Sequence, residues 1–263
     1  MILTLGTISL ALSLIFAFAY FRQRRKIAPI RVTMTSSVAH VQELADAFAQ
    51  FTSASTFRQL VEVKGRVESD APLIAPLSEQ ECVYYHVRVH WEYEEIYYEE
   101  RPEGGRIEHG SDGEEVLFEE EQWQPFWVRD DTARIAVQPA ECEVIATATL
   151  SRHDEDTGLP DENIRCGRFA IDAPWKTSAE ERRPRRFHFE EEAITLGHKI
   201  YVLAEATNSS GELRLQKSSQ GDRFLISVKP EEALLRSAQF LLWGLLAAAV
   251  LCGVIGFILL VRP

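Results

Sequence analysis

Four thiols and one close pair of histidines are the first residues to question for chemistry. The cysteines are Cys82, Cys142, Cys166 and Cys252. None falls in a Cys-x-x-Cys spacing, so neither a zinc ribbon nor a redox pair is written here. Cys252 lies inside an apolar run. Cys82 and Cys142 could form a disulfide, but buried free thiols are the better reading, because free cysteine is among the most buried residue types. His86 and His90 stand four apart, as in a helical zinc site. Their surroundings read H-V-R-V-H, which is strand, and four strand residues span about 13 Å, too far to share one ion. Asp154-Glu155-Asp156-Thr157-Gly158 resembles part of a calcium loop but fails the EF-hand register. No G-x-S-x-G, P-loop or H-E-x-x-H occurs. The sequence thus predicts no catalytic residue, no metal ligand and no cofactor.

Carboxylates are abundant instead. Residues 92–121 hold thirteen acidic residues against two arginines, with Tyr93, Tyr97, Tyr98 and Phe118 interleaved. A solvated acidic run has no reason to shift a pKa for acid–base work. It reads as a long hairpin with an acidic tip: either a solvated loop, or an arm for a basic protein partner with Glu99, Glu100, Glu114 and Glu115 as the docking candidates. Its like charges repel, so replacing Glu99–Glu115 should leave folding intact. The chain's net charge is −12. An acidic surface repels phosphate backbones, which argues against nucleic acid as a partner.

Two stretches of the 263 residues carry no charge. Residues 2–21 and 240–261 are each long enough, at about 1.5 Å rise per residue, to cross the roughly 30 Å hydrocarbon core of a bilayer. Arg22, Arg24, Arg25 and Lys26 follow the first, opposite to the charge order of a cleaved signal peptide, so it reads as an uncleaved anchor followed by a basic linker over 22–37. Pro230, Glu231 and Glu232 look like the first turn of the second helix. Basic residues on the inner flanks (Arg22, Arg24, Arg25, Lys26, Arg31, Arg223, Lys229, Arg236) outnumber those outside (Arg262), which puts the soluble part in the cytoplasm. Small residues recur every fourth position, as Ser9, Ser13 and Ala17 in one span and Gly244, Ala248, Cys252 and Gly256 in the other. Such stripes let helices approach closely, either within one chain or between copies in a homo-oligomer.

Between the spans, residues 38–239 form one soluble domain. Val38–Phe51 has apolar residues at helical spacing, with Thr35, Ser36 and Ser37 as candidate caps. Strand patterns follow at 60–67, 82–93, 126–128, 134–137, 142–150, 200–206, 213–217 and 224–228. Residues 153–162 and 179–186 are polar and charged and read as surface crossings.

The string Pro76-Leu77-Ser78-Glu79-Gln80-Glu81-Cys82-Val83-Tyr84-Tyr85 resembles the start of the membrane-adjacent domain of the MULAN/MAPL family of ubiquitin ligases, the GIDE or BAM domain. Residues 61–67, the 126–139 hairpin and the run E-A-I-T-L-G-H-K-I-Y-V-L-A-E-A, with Gly197 and Tyr201, fit the same resemblance. So does the layout of two spans around one domain. The resemblance implies an E3 ubiquitin ligase, whose activity rests on a RING with eight Cys and His ligands for two zinc ions after the second span. No such ligands occur in the two residues after that span here, so the expectation is a RING-less form similar to bacterial ones, multi-pass in the plasma or inner membrane. Animal members carry this domain facing away from the cytosol, opposite to the charge count above.

The expected fold is a membrane protein with a mainly β (α+β) soluble domain between two transmembrane helices. The strand order suggests an OB-like barrel with insertions: 61–67, 126–128, 134–137, 200–206 and 213–217 would be its five strands. Residues 76–123 and 151–190 would be insertions, and Gly65 a bend. An open antiparallel sheet with 82–93 at its centre is the competing arrangement. The expected function is a membrane-anchored, non-catalytic interaction module, with ligase-family membership as the alternative.

Overall fold

The computed structural model describes residues 2–32, 35–51, 56–101, 104–154, 163–166, 169–172, 182–218, 220–221 and 223–261. Its elements in chain order are α1 (Ile2–Val32), α2 (Val38–Phe51), β1 (Arg58–Glu68), β2 (Leu73–Ile74), β3 (Glu81–Glu100) and β4 (Arg106–Trp123). There follow β5 (Phe126–Arg129), β6 (Arg134–Val137), β7 (Glu143–Ile145), β8 (Thr147–Asp154), β9 (Asn163–Cys166) and β10 (Phe169–Asp172). The chain ends with β11 (Arg182–Thr195), β12 (Lys199–Thr207), β13 (Arg214–Gln216), β14 (Leu225–Ser227) and α3 (Glu231–Val261). These divide into two units. The first comprises residues 1–65, 128–145 and 199–263, the second 66–127 and 146–198.

A five-stranded barrel forms the body of the first unit. Strands neighbour one another in the order β1-β5-β6-β13-β12, and β12 pairs back onto β1, closing the circuit. β6 and β13 run parallel, while β12 and β13 are antiparallel. This is the five-strand arrangement expected from the order of strand patterns. β14 adds antiparallel to β12, and β7 parallel to β14. Closure removes the exposed edges that an open sheet would leave. It demands a close approach at Gly65, where a Cβ would lie 2.5 Å from the Arg129 carbonyl oxygen, so the absent side chain permits the two strands to meet. Val61, Val63, Val128, Ile135, Val137, Leu203 and Leu215 are buried. Each such aliphatic side chain contributes about 1.5–3 kcal/mol by leaving water. Eight consecutive residues of β12, Ile200–Thr207, are buried. A strand covered on both sides needs a continuous apolar run rather than alternation.

The N-terminus of α2 is held by the β5–β6 turn. Asp130 Oδ2 accepts a hydrogen bond from Val38 N at 2.7 Å, and Thr132 Oγ1 accepts one from Ala39 N at 3.1 Å. Ser37 Oγ accepts one from His40 N. Orphan helix amides are thus met by three side chains, two of them 92 and 93 residues on. Burial raises the Asp130 pKa, but hydrogen bonds from Thr132, Val38 and Ala133 outweigh it and hold the carboxyl below its usual value.

Within the stretch read as a basic linker, α1 continues through Arg22–Lys26 as helix to Val32. α3 is likewise unbroken from Glu231 into its apolar part. Thr4–Arg25 and Ala238–Val261 are long and apolar enough to cross a membrane.

The second unit is built on an antiparallel sheet. β3 is its centre: β11 pairs along one edge, β2 and β4 share the other, and β8 continues beyond β11. The competing arrangement with 82–93 as a central strand therefore exists as well, as a separate sheet from the barrel. Tyr85, Val87, Val89 and Trp91 of β3 pack with Phe187, Phe189 and Ala193 of β11 on one face. Residues 182–186 are strand, not a surface crossing, because they run antiparallel to the acidic residues of β3. The 142–150 pattern is two strands in two sheets, β7 and β8. Residues 155–162 and 179–181 lie outside the described residues.

Candidate functional site

The long acidic hairpin β3–β4 lies in the second unit. Its register runs without interruption from Glu100↔Arg106 at the tip to His90↔Val116, where a bulge shifts it. Alternation along β3 sends Val87, Val89 and Trp91 to the core and His86, Arg88 and His90 to the polar face. The hairpin can stand as strand despite its charge because β11 brings arginines alongside it. Arg182 lies between Glu95 (3.8 Å) and Glu115 (3.2 Å), its guanidinium 4.7 Å from the centre of the Tyr93 ring. Arg185 reaches Glu94 at 3.3 Å and Asp112 at 3.1 Å. Tyr93 covers Gly113, directly opposite on β4, leaving no room for a Cβ. The expectation that all of 99–115 is dispensable therefore narrows to the tip, since Asp112, Gly113 and Glu115 are built into the sheet.

The four candidate docking glutamates all have intramolecular partners. Glu114 lies 3.3 Å from His90 Nδ1, Glu115 pairs with Arg182, and Glu99 lies 3.1 Å from His109 Nε2. Glu100 is exposed at the tip. Beyond Glu95, where the described part of β11 begins, Ile96–Glu100 pair only with β4 among the described residues. There Tyr97 and Tyr98 are 53% and 47% exposed. On the polar face, Arg88 Nη2 and His86 Nε2 both meet Glu119 Oε1, at 2.6 and 3.0 Å. The hydrogen bond from Arg88 first, then that from His86, lowers the Glu119 pKa.

The Pro76–Tyr85 string closes on a residue over a hundred positions away. Glu191, on β11, is fully buried. Its carboxylate accepts hydrogen bonds from Leu77 N at 2.7 Å, Ser78 N at 3.2 Å and Thr149 Oγ1 at 2.7 Å. These bonds hold the turn 75–80, in which Glu79 adopts φ 58° and Ala75 and Gln80 are joined backbone to backbone. The sequence reading missed Glu191, which sits in an E-E-E run that offers no clue as to which carboxylate points inward. Cys82 follows the turn, fully buried, its Sγ 3.7 Å from the Leu73 carbonyl. Burial, reinforced by the Glu191 charge, pushes its pKa up to about 11. A thiol so raised is a poor nucleophile at neutral pH. Tyr85 donates to Glu120 at 2.9 Å, and burial raises its pKa. Tyr84 packs on Trp123 with ring centres 4.2 Å apart. Pro76 is half-buried beside this turn. Gly197 takes φ 73° in the β11–β12 turn. In the first unit Tyr201 donates from its hydroxyl to the buried Glu62 at 3.2 Å.

The two apolar helices, both in the first unit, pack against each other. Ser9 Oγ donates to the Cys252 carbonyl at 2.7 Å, and Ser13 Oγ to that of Ala249 at 2.8 Å. Gly256 faces Gly6 and Leu10, where a Cβ would come within 3.1 Å of the Gly6 carbonyl oxygen. Ala17 and Ala248 are half-buried, whereas Gly244 is exposed with nothing near it. Gly6 and Gly253, which faces Ser13, were not among the expected contacts.

None of the four cysteines is in a disulfide, so Cys82 and Cys142 are not bridged. Among the described residues no three His, Cys, Asp or Glu side chains are grouped to hold a metal ion. A family model for GIDE, described as an E3 ubiquitin ligase, matches residues 94–261, more than half of the chain. The chain belongs to the GIDE family. No curated protein and no solved structure matches it. The GIDE match takes in the outer hairpin, the barrel strands β5, β6, β12 and β13, the added strand β14, and α3. The Pro76–Tyr85 string precedes it. The domain is thus ligase-related, and its two apolar helices indicate association with a membrane.

Proposed function

We propose that this GIDE-family chain is a membrane-anchored interaction module whose acidic hairpin docks a basic protein. α1 and α3 would both cross the bilayer, with the domain in the cytoplasm of a bacterial-type cell and the spans in its plasma or inner membrane. One observation carries the docking reading. The hairpin continues past the described arginine-bearing strand to a tip that exposes two tyrosines among glutamates, and aromatic side chains within a complementary charge field are typical anchors of protein interfaces. A photo-crosslinking residue at Tyr98 of the full-length protein, in its native membrane, should capture a discrete partner. Reversing Glu99 and Glu100 to lysine should abolish that adduct. An adduct pattern unchanged by the reversal overturns the docking reading.

The family description favours a second reading, a part in ubiquitin transfer. The cysteines of these 263 residues, at 82, 142, 166 and 252, do not form the spaced ligand set of a RING. On this reading the transferase centre lies outside these 263 residues. A conjugation assay with the full-length protein, with and without zinc, tests it: product above the background of the other components supports the reading, and none counts against it.

A further inference from the structure

The two apolar helices run antiparallel, and their contacts fix which residues share a level. Gly6 faces Gly256 and Leu260, Ser9 meets Cys252, and Ser13 meets Ala249 and Gly253. Both helices rise about 1.5 Å per residue. Following both from the Ser13–Ala249 contact away from Gly6 brings Tyr20 and Phe21 level with Phe240 and Trp243. Arg22 lies at the edge of this aromatic level. Arg24 and Arg25 then come level with the turn of α3 that holds Arg236. At this end of the pair Leu235 packs against Tyr201, Leu203 and Leu225, so it is the end that meets the barrel.

Two independent features mark this level as one that faces lipid headgroups. The first is aromatic. Phe21, Phe240 and Trp243 are 59%, 74% and 71% exposed, and aromatic rings gather where hydrocarbon meets headgroup. The second is charge. Arg22, Arg24, Arg25 and Arg236 are all exposed, and none is in an ion pair among the described residues. Glu231 and Glu232 stand about one turn beyond Arg236, farther from the apolar part of α3. At the opposite end of the pair, residues 2–6 and 257–261 hold no charge. Helix pairing thus gathers arginines from segments more than 200 residues apart into one collar beside an aromatic layer. A guanidinium donates two parallel hydrogen bonds to a phosphate. Four of them at one level favour a lipid whose phosphate charge is not cancelled by a choline.

We propose that Arg22, Arg24, Arg25 and Arg236 bind the headgroups of anionic phospholipids in the leaflet on the barrel side of the helix pair. The proposal rests on the reading that α1 and α3 cross the bilayer, and it does not depend on docking by the hairpin tip.

Full-length protein in detergent would be mixed with equal amounts of phosphatidylglycerol and phosphatidylcholine, and the bound lipids counted by native mass spectrometry. Phosphatidylglycerol should be preferred by about tenfold, less so as salt is added. R25Q and R236Q should each lower the preference about threefold. The combined variant R22Q/R24Q/R25Q/R236Q should bring it to parity, while R22K/R24K/R25K/R236K should keep it. Melting temperatures report that the variants fold. Inorganic phosphate at the lipid concentration should not displace phosphatidylglycerol. Parity in the parent, an unchanged preference in the combined glutamine variant, or displacement by inorganic phosphate overturns the proposal. Entry into phosphatidylcholine nanodiscs tests the crossing separately, and the glutamine variant should enter as the parent does. A parent that fails to enter removes the crossing and the collar together, whereas entry with parity between the lipids removes the collar alone.

Discussion

Single buried carboxylates do work here that their neighbours in sequence do not. Glu191 lies in a run of three glutamates, yet it alone turns inward and meets two backbone amides and a threonine hydroxyl. Replacing it by alanine leaves those donors buried and unmatched. Glu191→Ala should therefore cost about 3 kcal/mol, seen as a lower urea midpoint with an unchanged slope; an effect below about 0.5 kcal/mol would show that water takes over the donors. Asp130 supports the first turn of α2 from the β5–β6 turn. Its folded pKa is depressed, so its contribution is full above the unfolded value of about 3.9. The contribution is lost as pH falls through the lower folded value. Asp130→Asn should destabilise by about 1 kcal/mol at neutral pH, and the difference from the parent should shrink below about pH 4. A difference that stays constant down to pH 2.5 would contradict that linkage.

At the scale of elements, the hairpin β3–β4 consists of two parts with different roles. Its inner part is held by Arg182 and Arg185, by the Tyr93–Gly113 contact and by core residues such as Val89 and Phe118. Its tip, Ile96–Glu100 with Arg106–Gly110, pairs only with itself among the described residues. Replacing 99–107 by a short Gly/Ser turn should leave the melting temperature within about 2 °C of the parent. Extending the replacement through Glu115 should cost about 1–3 kcal/mol, from lost cross-strand pairs and arginines left beside fewer carboxylates. Equal effects of the two deletions in thermal denaturation would disprove this division. The same arginines explain why a strand dense in like charge is stable: the sheet pairs it with a strand of the opposite sign.

For the whole molecule, the orientation across the membrane rests on flank charges. Eight basic residues border the inner ends of the apolar helices and one borders an outer end, which predicts a cytoplasmic domain. Ser111 is exposed on β4. A cysteine introduced there should stay unlabelled by a membrane-impermeant maleimide in intact cells and react after permeabilisation. Ready labelling in intact cells would reverse the orientation and agree with the animal members of the family. Such labelling would leave the fold untouched, because barrel closure and helix pairing do not depend on which side the domain faces.

Local periodicity by itself determined the two apolar helices, the span of α2, the barrel strands and even their closing order. Each of these depends on residues close in the chain, or on the short list of ways five alternating strands can close. Gly65 was legible for the same reason, as a glycine interrupting a strand. Pairings between distant segments were not legible. Nothing in R-R-P-R-R announces a strand, because its strand character comes from the acidic β3 laid beside it. Nothing in E-E-E marks Glu191, because only the turn at Leu77 and Ser78 selects it. Register between strands is set by side-chain packing across the sheet and by bulges such as those at Val89/His90 and Glu191/Glu192. That information exists only once the strands have met.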